Sequence, residues 1–306
     1  MTSQSWPDGH APIDVGIIGG SGLADLPGLT DVTEHPVETP FGPPAGRVRV
    51  GTLEGVRVGF LARHGEGHAV APAEAPYQAN VWALKRLGAR TLIGVTAVGS
   101  LREELRPGDL ALPDDLIDRT INRPRSFFGP GLVAHIGLAP AYCERTRATL
   151  LAHAPAAGRP VHDGGTLVVI EGPRFSTAAE SRFHRQIGAD LVGMTALPEA
   201  ALAREAELPY VSLAVVTDYD VWHPTHGEVS VAAVLATMAD AAEGARALLG
   251  AALPDIAALG RRPAHDALAG AIQTAPAAVD PQQAYRLALL VSRYLDSDDA
   301  DRSPAS

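Results

Sequence analysis

Two carboxylates, Asp218 and Asp220, follow directly on the apolar run 211–216, with Tyr219 between them. A run of that length predicts a buried strand, and the carboxyl end of a strand in an α/β sheet is where such sheets bind ligands. Two acids this close repel each other, so one of them is protonated more easily than an isolated Asp. A protonated Asp can donate a hydrogen bond to a ring nitrogen that carries no hydrogen. The alternative is a polar turn with both acids in water, and these residues alone do not exclude it.

A glycine-rich turn at 19–22 follows another short apolar run, 13–18. Glycines let backbone N–H groups converge on an anion, and Ser21 adds a hydroxyl donor. The turn does not match the dinucleotide-binding fingerprint, because the third glycine position falls on Asp25. A dehydrogenase interpretation therefore fails on spacing, while an anion-binding turn and a plain tight turn both remain open.

Arg63 and His64 come at the end of the strand-like run 56–61, again beside glycines. A guanidinium among hydroxyl and amide donors is suited to an oxyanion. His64 and His68 also raise the question of a metal site. Glycines on both sides of Glu66 argue against a helical His pair, and no third ligand is implied, so the sequence predicts no metal.

The chain has 306 residues, 46% of them hydrophobic, and a formal net charge of -10. This charge argues against nucleic acids and anionic membranes as partners, because an acidic surface repels both. Lys85 is the only lysine, so arginine would have to recognise any phosphate. The single Cys143 excludes an intrachain disulfide and a thiolate metal cluster. With a polar N-terminus and no apolar run of membrane-spanning length, we expect a soluble cytoplasmic protein.

Strand, loop and helix alternate along most of the chain, which predicts an α/β fold: a single domain with a central twisted mixed β-sheet flanked by helices. Further strands are predicted at 48–51, 91–100, 110–113, 165–170 and 191–195, and helices at 76–87, 142–154, 178–187, 200–206, 230–252 and 282–295. Residues 118–140 predict a long irregular segment of the kind that lines sites. We place the domain at 13–252, a linker and a C-terminal helix packing on the domain or a neighbouring subunit at 253–295, and disordered ends at 1–12 and 296–306.

Several fragments recur together in a fixed order: GIIGGSGL at 16–23, TPFG at 39–42, LARHG at 61–65, YQAN at 77–80, GSLREE at 99–104, IDRT at 117–120, IEGPRFS at 170–176, GMT at 193–195 and TDYD at 217–220. In this order they closely resemble the purine nucleoside phosphorylase superfamily, and within it the 5′-methylthioadenosine phosphorylases. The resemblance covers about residues 13–250.

The resemblance implies phosphorolysis, in which inorganic phosphate attacks the anomeric carbon of a purine nucleoside and the free base leaves. The transition state resembles an oxocarbenium ion with negative charge arriving on the purine. Such a site needs groups that hold phosphate against the sugar and an acid that neutralises the base. The resemblance further implies a homotrimer, no cofactor beyond phosphate as co-substrate, and no metal.

Residue by residue, the resemblance assigns phosphate binding to Ser21, Arg63, His64, Thr96, the backbone at Ala97, and Thr195. Asp218 matches the acid that hydrogen-bonds to purine N7, and Asp220 matches its partner near the 6-amino group.

For the rest of the nucleoside, Met194 matches the residue that packs on the ribose, and Phe175 matches the residue that stacks beside the base. The 5′ substituent of the relatives lies in an apolar pocket near the positions of His135, Val231 and Leu235. The segment before the last predicted helix matches the relatives poorly, so the shape of this pocket is left open.

Ser176 and Asp218 discriminate between purines. The 6-oxopurine phosphorylases that this chain resembles carry Glu at the first of these positions and Asn at the second. Glu accepts from the N1–H of a 6-oxopurine, and Asn donates to its O6. Adenine instead presents an acceptor at N1 and donors at N6. Mispaired polar groups in a closed site would cost several kcal/mol, so the sequence favours a 6-aminopurine.

The predicted reaction is the conversion of S-methyl-5′-thioadenosine and phosphate to adenine and 5-methylthioribose 1-phosphate. Two alternatives are a general purine nucleoside phosphorylase and a phosphorylase of a 5′-halo-5′-deoxyadenosine. A hydrolytic nucleosidase or a non-catalytic purine-binding module is less favoured, because neither needs the phosphate-binding residues Arg63 and Thr96.

Overall fold

The computed structural model of the protein describes residues 11–20, 28–224 and 229–295. Its strands are β1 Val15–Gly19, β2 Thr30–His35, β3 Val48–Leu53, β4 Val56–Ala62, β5 Thr91–Ser100, β6 Leu110–Leu112, β7 Asp115–Arg119, β8 Val161–Asp163, β9 Thr166–Ile170, β10 Leu191–Gly193 and β11 Tyr210–Asp218. Its helices are α1 Tyr77–Arg86, α2 Glu144–Ala152, α3 Ala178–Gln186, α4 Ala196–Glu205, α5 Val231–Ala258, α6 Pro281–Arg286 and α7 Ala288–Leu295. Ser21, residues 1–10 of the predicted N-terminal lead and the predicted tail 296–306 lie outside the described residues.

The strands form one mixed sheet in the order β2-β3-β4-β1-β5-β10-β9-β7, with β11 beside β5 and β6, and β8 beside β6. Strands β4, β1, β5 and β11 run parallel to their neighbours in this group, whereas β2, β3 and β4 pair antiparallel. The predicted fold, a central mixed sheet flanked by helices, is confirmed. The parallel strands are buried along nearly their whole length, as their unbroken apolar runs predict.

Strand β5 changes partner halfway along one of its edges. Its first residues, up to Gly94, pair with β1, and its last two, Gly99 and Ser100, pair with the antiparallel β10. Between these two ladders no strand from the described ranges pairs with that edge of β5, and β11 covers the opposite edge. A place where strand partners change is a common ligand position in open α/β sheets.

Helices pack on both faces of the sheet. One face is covered by α1 and α4, through side chains such as Leu84 and Leu202, and the other by α5, through Leu248 and Leu253. The Ser230 hydroxyl accepts a hydrogen bond from the Ala233 N–H at 3.2 Å and so caps the first turn of α5. Within the described ranges, no helix combines the length and the apolar character needed to cross a membrane.

Three predicted helices differ from the structure, and three strands were not predicted. The predicted helix 282–295 is two helices, α6 and α7, interrupted at the fully buried Leu287. Helix α5 continues beyond residue 252 to Ala258, because Ile256 still packs into the core below it. Helix α4 starts earlier than predicted and contains a non-helical Leu197, as expected for a residue that precedes proline. Strands β2, β7 and β8 were not predicted, because they carry polar residues and little burial.

The C-terminal segment is tied to the domain by Arg262, which is buried. Its guanidinium donates to the hydroxyls of Thr146 at 3.0 Å and Thr91 at 2.9 Å. Residues 118–140 are irregular apart from the end of β7 and isolated bridges, as predicted. The division of the chain at residues 252 and 253 stays a prediction.

Candidate active site

A cavity of about 690 Å³ opens where β5 changes partner. It brings together most of the predicted site residues, which come from six separate stretches of chain: Arg63, His64, Ala97, Phe175, Ser176, Met194, Thr195, Asp218, Asp220, Val231 and Leu235. Gly20, from the glycine-rich turn, also lines it. Thr96 and His135 do not line the cavity, and Ser21 lies in the part of the chain left undescribed.

Asp218 takes its position from an irregularity in the ladder between β5 and β11. The register shifts between Val216 and Asp218, which places Asp218 opposite Gly99. A Cβ at Gly99 would stand 2.8 Å from Asp218 Oδ1 and 3.4 Å from Asp220 Cβ. The absence of a side chain at residue 99 therefore makes room for both acids.

The Asp218 carboxyl group has a hydrogen-bond partner on each oxygen. The Asp220 N–H donates to Oδ1 at 2.8 Å, and the Thr217 hydroxyl lies 2.7 Å from Oδ2. The same hydroxyl lies 3.2 Å from the Val98 carbonyl. When its hydrogen points to Val98, the Thr217 oxygen can accept from a protonated Asp218; when it points to Asp218, it stabilises the carboxylate. The arrangement accommodates both protonation states of the acid.

Asp220 is buried and has a positive φ of 50°. Burial raises its pKa, the Ser181 hydroxyl lowers it from nearby without reaching full hydrogen-bond geometry, and the neighbouring Asp218 raises it further. Neither its Oδ2 nor the hydroxyls of Ser181 and Ser176 form a hydrogen bond with another described residue. A buried carboxylate oxygen without a donor, at the wall of a cavity, is suited to an N–H group of a ligand.

Arg63 also lines the cavity and is almost fully buried. Its Nε and Nη2 donate to the two Glu199 carboxylate oxygens at 2.9 and 3.1 Å. Nη1 donates to Val95 O at 2.9 Å and Nη2 to Ile18 O at 3.1 Å. Burial disfavours the charged guanidinium, but Glu199 more than offsets this, so the pKa of Arg63 lies above its usual value. Arg63 stays a cation throughout the accessible pH range.

His64 is neutral at physiological pH. Burial, with the charges of Arg63 and His68, lowers the pKa of His64 to about 4. Its Nδ1 lies 2.9 Å from Val70 O, which can only accept, so Nδ1 carries the proton and Nε2 is an acceptor. The His64 and His68 rings stack with centroids 4.4 Å apart. Among the described residues, no group of three or more His, Cys, Asp or Glu side chains is arranged to hold a metal ion.

Two of the predicted residues lie elsewhere. The Thr96 hydroxyl lies 3.2 Å from Ser212 Oγ of the neighbouring strand β11. His135 is exposed, and its main-chain N–H donates to Ala271 O at 2.9 Å.

At the mouth of the cavity, Val231 and Leu235 are exposed by 62% and 56% in spite of being apolar. They lie on the first turns of α5, just after its Ser230 cap. This end of the cavity is an apolar, open collar in the single chain. Apolar side chains of this size are usually covered in the working form of a protein.

Arg123 stabilises the segment that carries Met194. The sequence motifs did not identify Arg123 as a site residue. Its buried guanidinium donates to the carbonyls of Met194 at 2.6 Å, Leu197 at 2.7 Å and Glu171 at 2.7 Å. Glu199, the partner of Arg63, was also missed. The available signal was a glutamate inside an otherwise apolar helical stretch, which predicts a buried ion pair.

Comparison with known proteins agrees with this geometry. A family model described as the phosphorylase superfamily matches residues 14–254. The S-methyl-5′-thioadenosine phosphorylase of Cereibacter sphaeroides is 47% identical over 287 residues, which cover 92% of this chain and 98% of the relative. The enzyme of the same name from Chloroflexus aurantiacus is 48% identical over 281 residues, which cover 92% of this chain and 98% of the relative.

Solved structures give the same result. A methylthioadenosine phosphorylase from an antarctic soil metagenomic library has a TM-score of 0.88 at 43% identity, covering 92% of this chain and 100% of the other. The methylthioadenosine phosphorylase of Schistosoma mansoni in complex with adenine has a TM-score of 0.81 at 37% identity, covering 85% and 99%. This chain therefore belongs to the phosphorylase superfamily and, within it, to the family of the S-methyl-5′-thioadenosine phosphorylases.

Proposed function

We propose that the protein is a pentosyltransferase that converts S-methyl-5′-thioadenosine and phosphate to adenine and 5-methylthioribose 1-phosphate. The observation that carries this proposal is that Arg63, Asp218 and Asp220 line a single cavity. An anion held by Arg63 and a base held by the two acids would leave the sugar between them. Its relatives in the family are named for this activity.

On the phosphate side, Arg63, His64, Thr195 and the backbone at Ala97 hold the nucleophile, and Ser21 is proposed to join them. Because His64 Nε2 is an acceptor, it receives the hydrogen of a monohydrogen phosphate P–OH group rather than donating to a bare oxygen. This contact orients the phosphate so that an unprotonated oxygen faces the anomeric carbon. Positioning of this kind is a large part of the rate enhancement when two substrates react. Thr96 would reach phosphate only if its side chain turned away from Ser212.

On the base side, Asp218 in its protonated form donates to purine N7. As the bond between N9 and the anomeric carbon breaks, its electron pair passes to the purine and the Asp218 proton passes to N7, so adenine leaves neutral. A phosphate oxygen then supplies the electron pair of the new bond to the anomeric carbon. Asp220 accepts from the 6-amino group through its free Oδ2. Phe175 stacks beside the base and Met194 packs against the ribose.

The preference for adenine rests on Ser176 and the two acids. A 6-oxopurine would place its O6 against Asp220, an acceptor against an acceptor, in a buried site. The apolar collar of Val231 and Leu235 favours a small apolar 5′ group such as methylthio. A 5′-halogen would also suit it, which keeps a 5′-halo-5′-deoxyadenosine as the second candidate substrate. A general purine nucleoside phosphorylase is disfavoured by the same contacts.

We further propose a homotrimer in the cytoplasm that needs no cofactor beyond the co-substrate phosphate. The trimer is supported by the open collar at Val231 and Leu235, and by the exposed position of His135, away from the cavity of its own chain. A neighbouring copy could supply the missing wall of the 5′ pocket. The cytoplasmic location rests on the sequence composition alone.

A spectrophotometric assay tests the function directly. Methylthioadenosine, adenosine and inosine are each incubated with the enzyme, with and without phosphate, and base release is followed. We expect release of adenine from methylthioadenosine only when phosphate is present, and poor cleavage of inosine. Cleavage at the same rate without phosphate would replace the transferase by a nucleoside hydrolase.

A further inference from the structure

We infer that Glu199 is a positioning residue for phosphate: it fixes the Arg63 guanidinium and balances its charge, so that Arg63 presents one oriented N–H to the anion. The inference rests on the proposed function, because phosphate is the ligand concerned. Nothing in the sequence motifs pointed to Glu199, which lies on α4 directly after Pro198.

The geometry of the ion pair leaves Arg63 little freedom. Of the five N–H groups of a guanidinium, Arg63 uses one on Nε, one on Nη1 and two on Nη2, which makes four. The second N–H of Nη1 has no acceptor within the described part of the chain. Both side chains are buried, at 2% exposure for Arg63 and 0% for Glu199. A guanidinium held at four points cannot rotate to follow a ligand.

A second side chain fixes Glu199 in turn. The Tyr210 hydroxyl donates to Glu199 Oε1 at 2.9 Å. The space for this contact exists because residue 94 of β5 is glycine: a Cβ there would stand 2.2 Å from Tyr210 Oη and 2.6 Å from Glu199 Oε1. The centre of a buried strand is an unfavourable place for glycine, so its presence indicates that the polar network needs this room.

The charges of these residues distinguish two explanations of phosphate binding. Arg63 and Glu199 together are neutral, and so is His64, whose pKa is lowered to about 4. Removing the negative charge of Glu199 would strengthen phosphate binding if simple attraction governed it. It would weaken phosphate binding if the direction of the Arg63 N–H governed it. A Gln at residue 199 keeps one acceptor oxygen but replaces the other with an N–H donor, so the guanidinium would lose one of its four anchors. The two explanations predict changes of opposite sign.

The test is Glu199→Gln, which keeps the shape of the side chain and removes its charge. Phosphate affinity is measured by calorimetry without nucleoside, and KM for phosphate and for methylthioadenosine by steady-state kinetics. We expect Kd and KM for phosphate to rise about tenfold or more, which corresponds to the loss of a charge-assisted hydrogen bond. KM for the nucleoside should stay within about twofold of the wild-type value. Unchanged or tighter phosphate binding, or an equal loss for both substrates, would overturn the inference.

Tyr210→Phe is the second variant, since it removes only the hydroxyl that anchors Glu199 and leaves the ion pair in place. We expect it to fold and to weaken phosphate binding in the same direction by about two- to fivefold. If Glu199→Gln does not fold and Tyr210→Phe binds phosphate as the wild type does, the inference is wrong.

Glu205→Gln serves as the matched control. Glu205 lies on the same helix, is also buried, and bonds to Ser126 and Phe127 instead of Arg63. The phosphate affinity of the Glu205→Gln variant should equal that of the wild type. The calorimetric measurement separates this inference from the proposed function: a wild type that binds phosphate without cleaving methylthioadenosine would contradict the function and leave the role of Glu199 testable.

Discussion

Gly99 lies opposite Asp218 across the ladder between β5 and β11, and a Cβ on Gly99 would stand 2.8 Å from Asp218 Oδ1. The position of the acid therefore depends on the absence of a side chain on the neighbouring strand. The register shift after Val216 brings Asp218 to this place, and the Asp220 N–H holds it there at 2.8 Å.

Gly99→Ala should displace the Asp218 carboxyl group by a few tenths of an ångström or more and lower kcat by about tenfold or more, because proton transfer depends on the placement of the acid. The measurement is kcat for methylthioadenosine, with the melting temperature followed in parallel. Gly59→Ala is the control, since a Cβ there would stand 2.6 Å from the Ile13 side chain, in the core. The control should lose stability while the folded fraction keeps its kcat; equal kcat values in both variants would contradict the role of Gly99.

Asp218→Asn should lower adenine release from methylthioadenosine by roughly 10²–10⁴-fold, the usual contribution of a general acid. An amide can donate a hydrogen bond to N7 but cannot release a proton to it. Inosine cleavage should fall less, because an amide suits a 6-oxopurine. The check is kcat for both nucleosides with phosphate saturating; unaltered cleavage of methylthioadenosine would remove Asp218 from the mechanism.

The contribution of Glu205 to stability should fall as pH rises through its titration. Burial raises the pKa of Glu205 from 4.5 to about 7, against the hydrogen bonds from Ser126 and Phe127, which lower it. The folded protein binds this proton more tightly than the unfolded chain, so the contribution of Glu205 to the free energy of unfolding is fully present below pH 4.5 and is lost as pH rises through 7. The loss amounts to about 3 kcal/mol at most.

Glu205→Gln mimics the protonated acid, since Ser126 Oγ can accept from the amide while Phe127 N–H donates to its oxygen. Urea unfolding at pH 5 and pH 8 should show wild type and variant equally stable at the lower pH and the variant more stable at the higher one. A variant that is less stable at pH 8 would show that Glu205 is a stabilising carboxylate.

Ser230→Ala should remove the cap of α5 and cost about 1 kcal/mol, most of it in the first turn. Val231 lies in that turn and Leu235 in the next, so KM for methylthioadenosine should rise several-fold. Adenosine, whose 5′-hydroxyl gains little from an apolar collar, should be affected less. Equal changes in KM for the two nucleosides would show that this collar does not recognise the 5′ group.

The strands that position the site were predictable because β1, β5 and β11 are buried on both faces and therefore appear as unbroken apolar runs. Arg63 and Asp218 follow such runs, and the structure places both at one cavity. Edge strand β2 escaped prediction, because most of its residues are exposed and no alternation marks it.

The contacts that complete the site were not predictable in the same way. Glu199 and Arg63 are 136 positions apart, and only the folded sheet brings them together. The need for glycine at residues 94 and 99 arises from side chains on β11 and α4. The direction of the Thr96 side chain depends on the register of β5 in the sheet, which a fragment match does not carry.

In the proposed reaction phosphate, and not water, attacks the anomeric carbon of the sugar. The most direct measurement is ³¹P NMR of the enzyme with methylthioadenosine and inorganic phosphate, with adenine followed in the same sample. We expect a new sugar phosphate resonance that grows mole for mole with adenine while the inorganic phosphate signal falls. Adenine released with no loss of inorganic phosphate would contradict it.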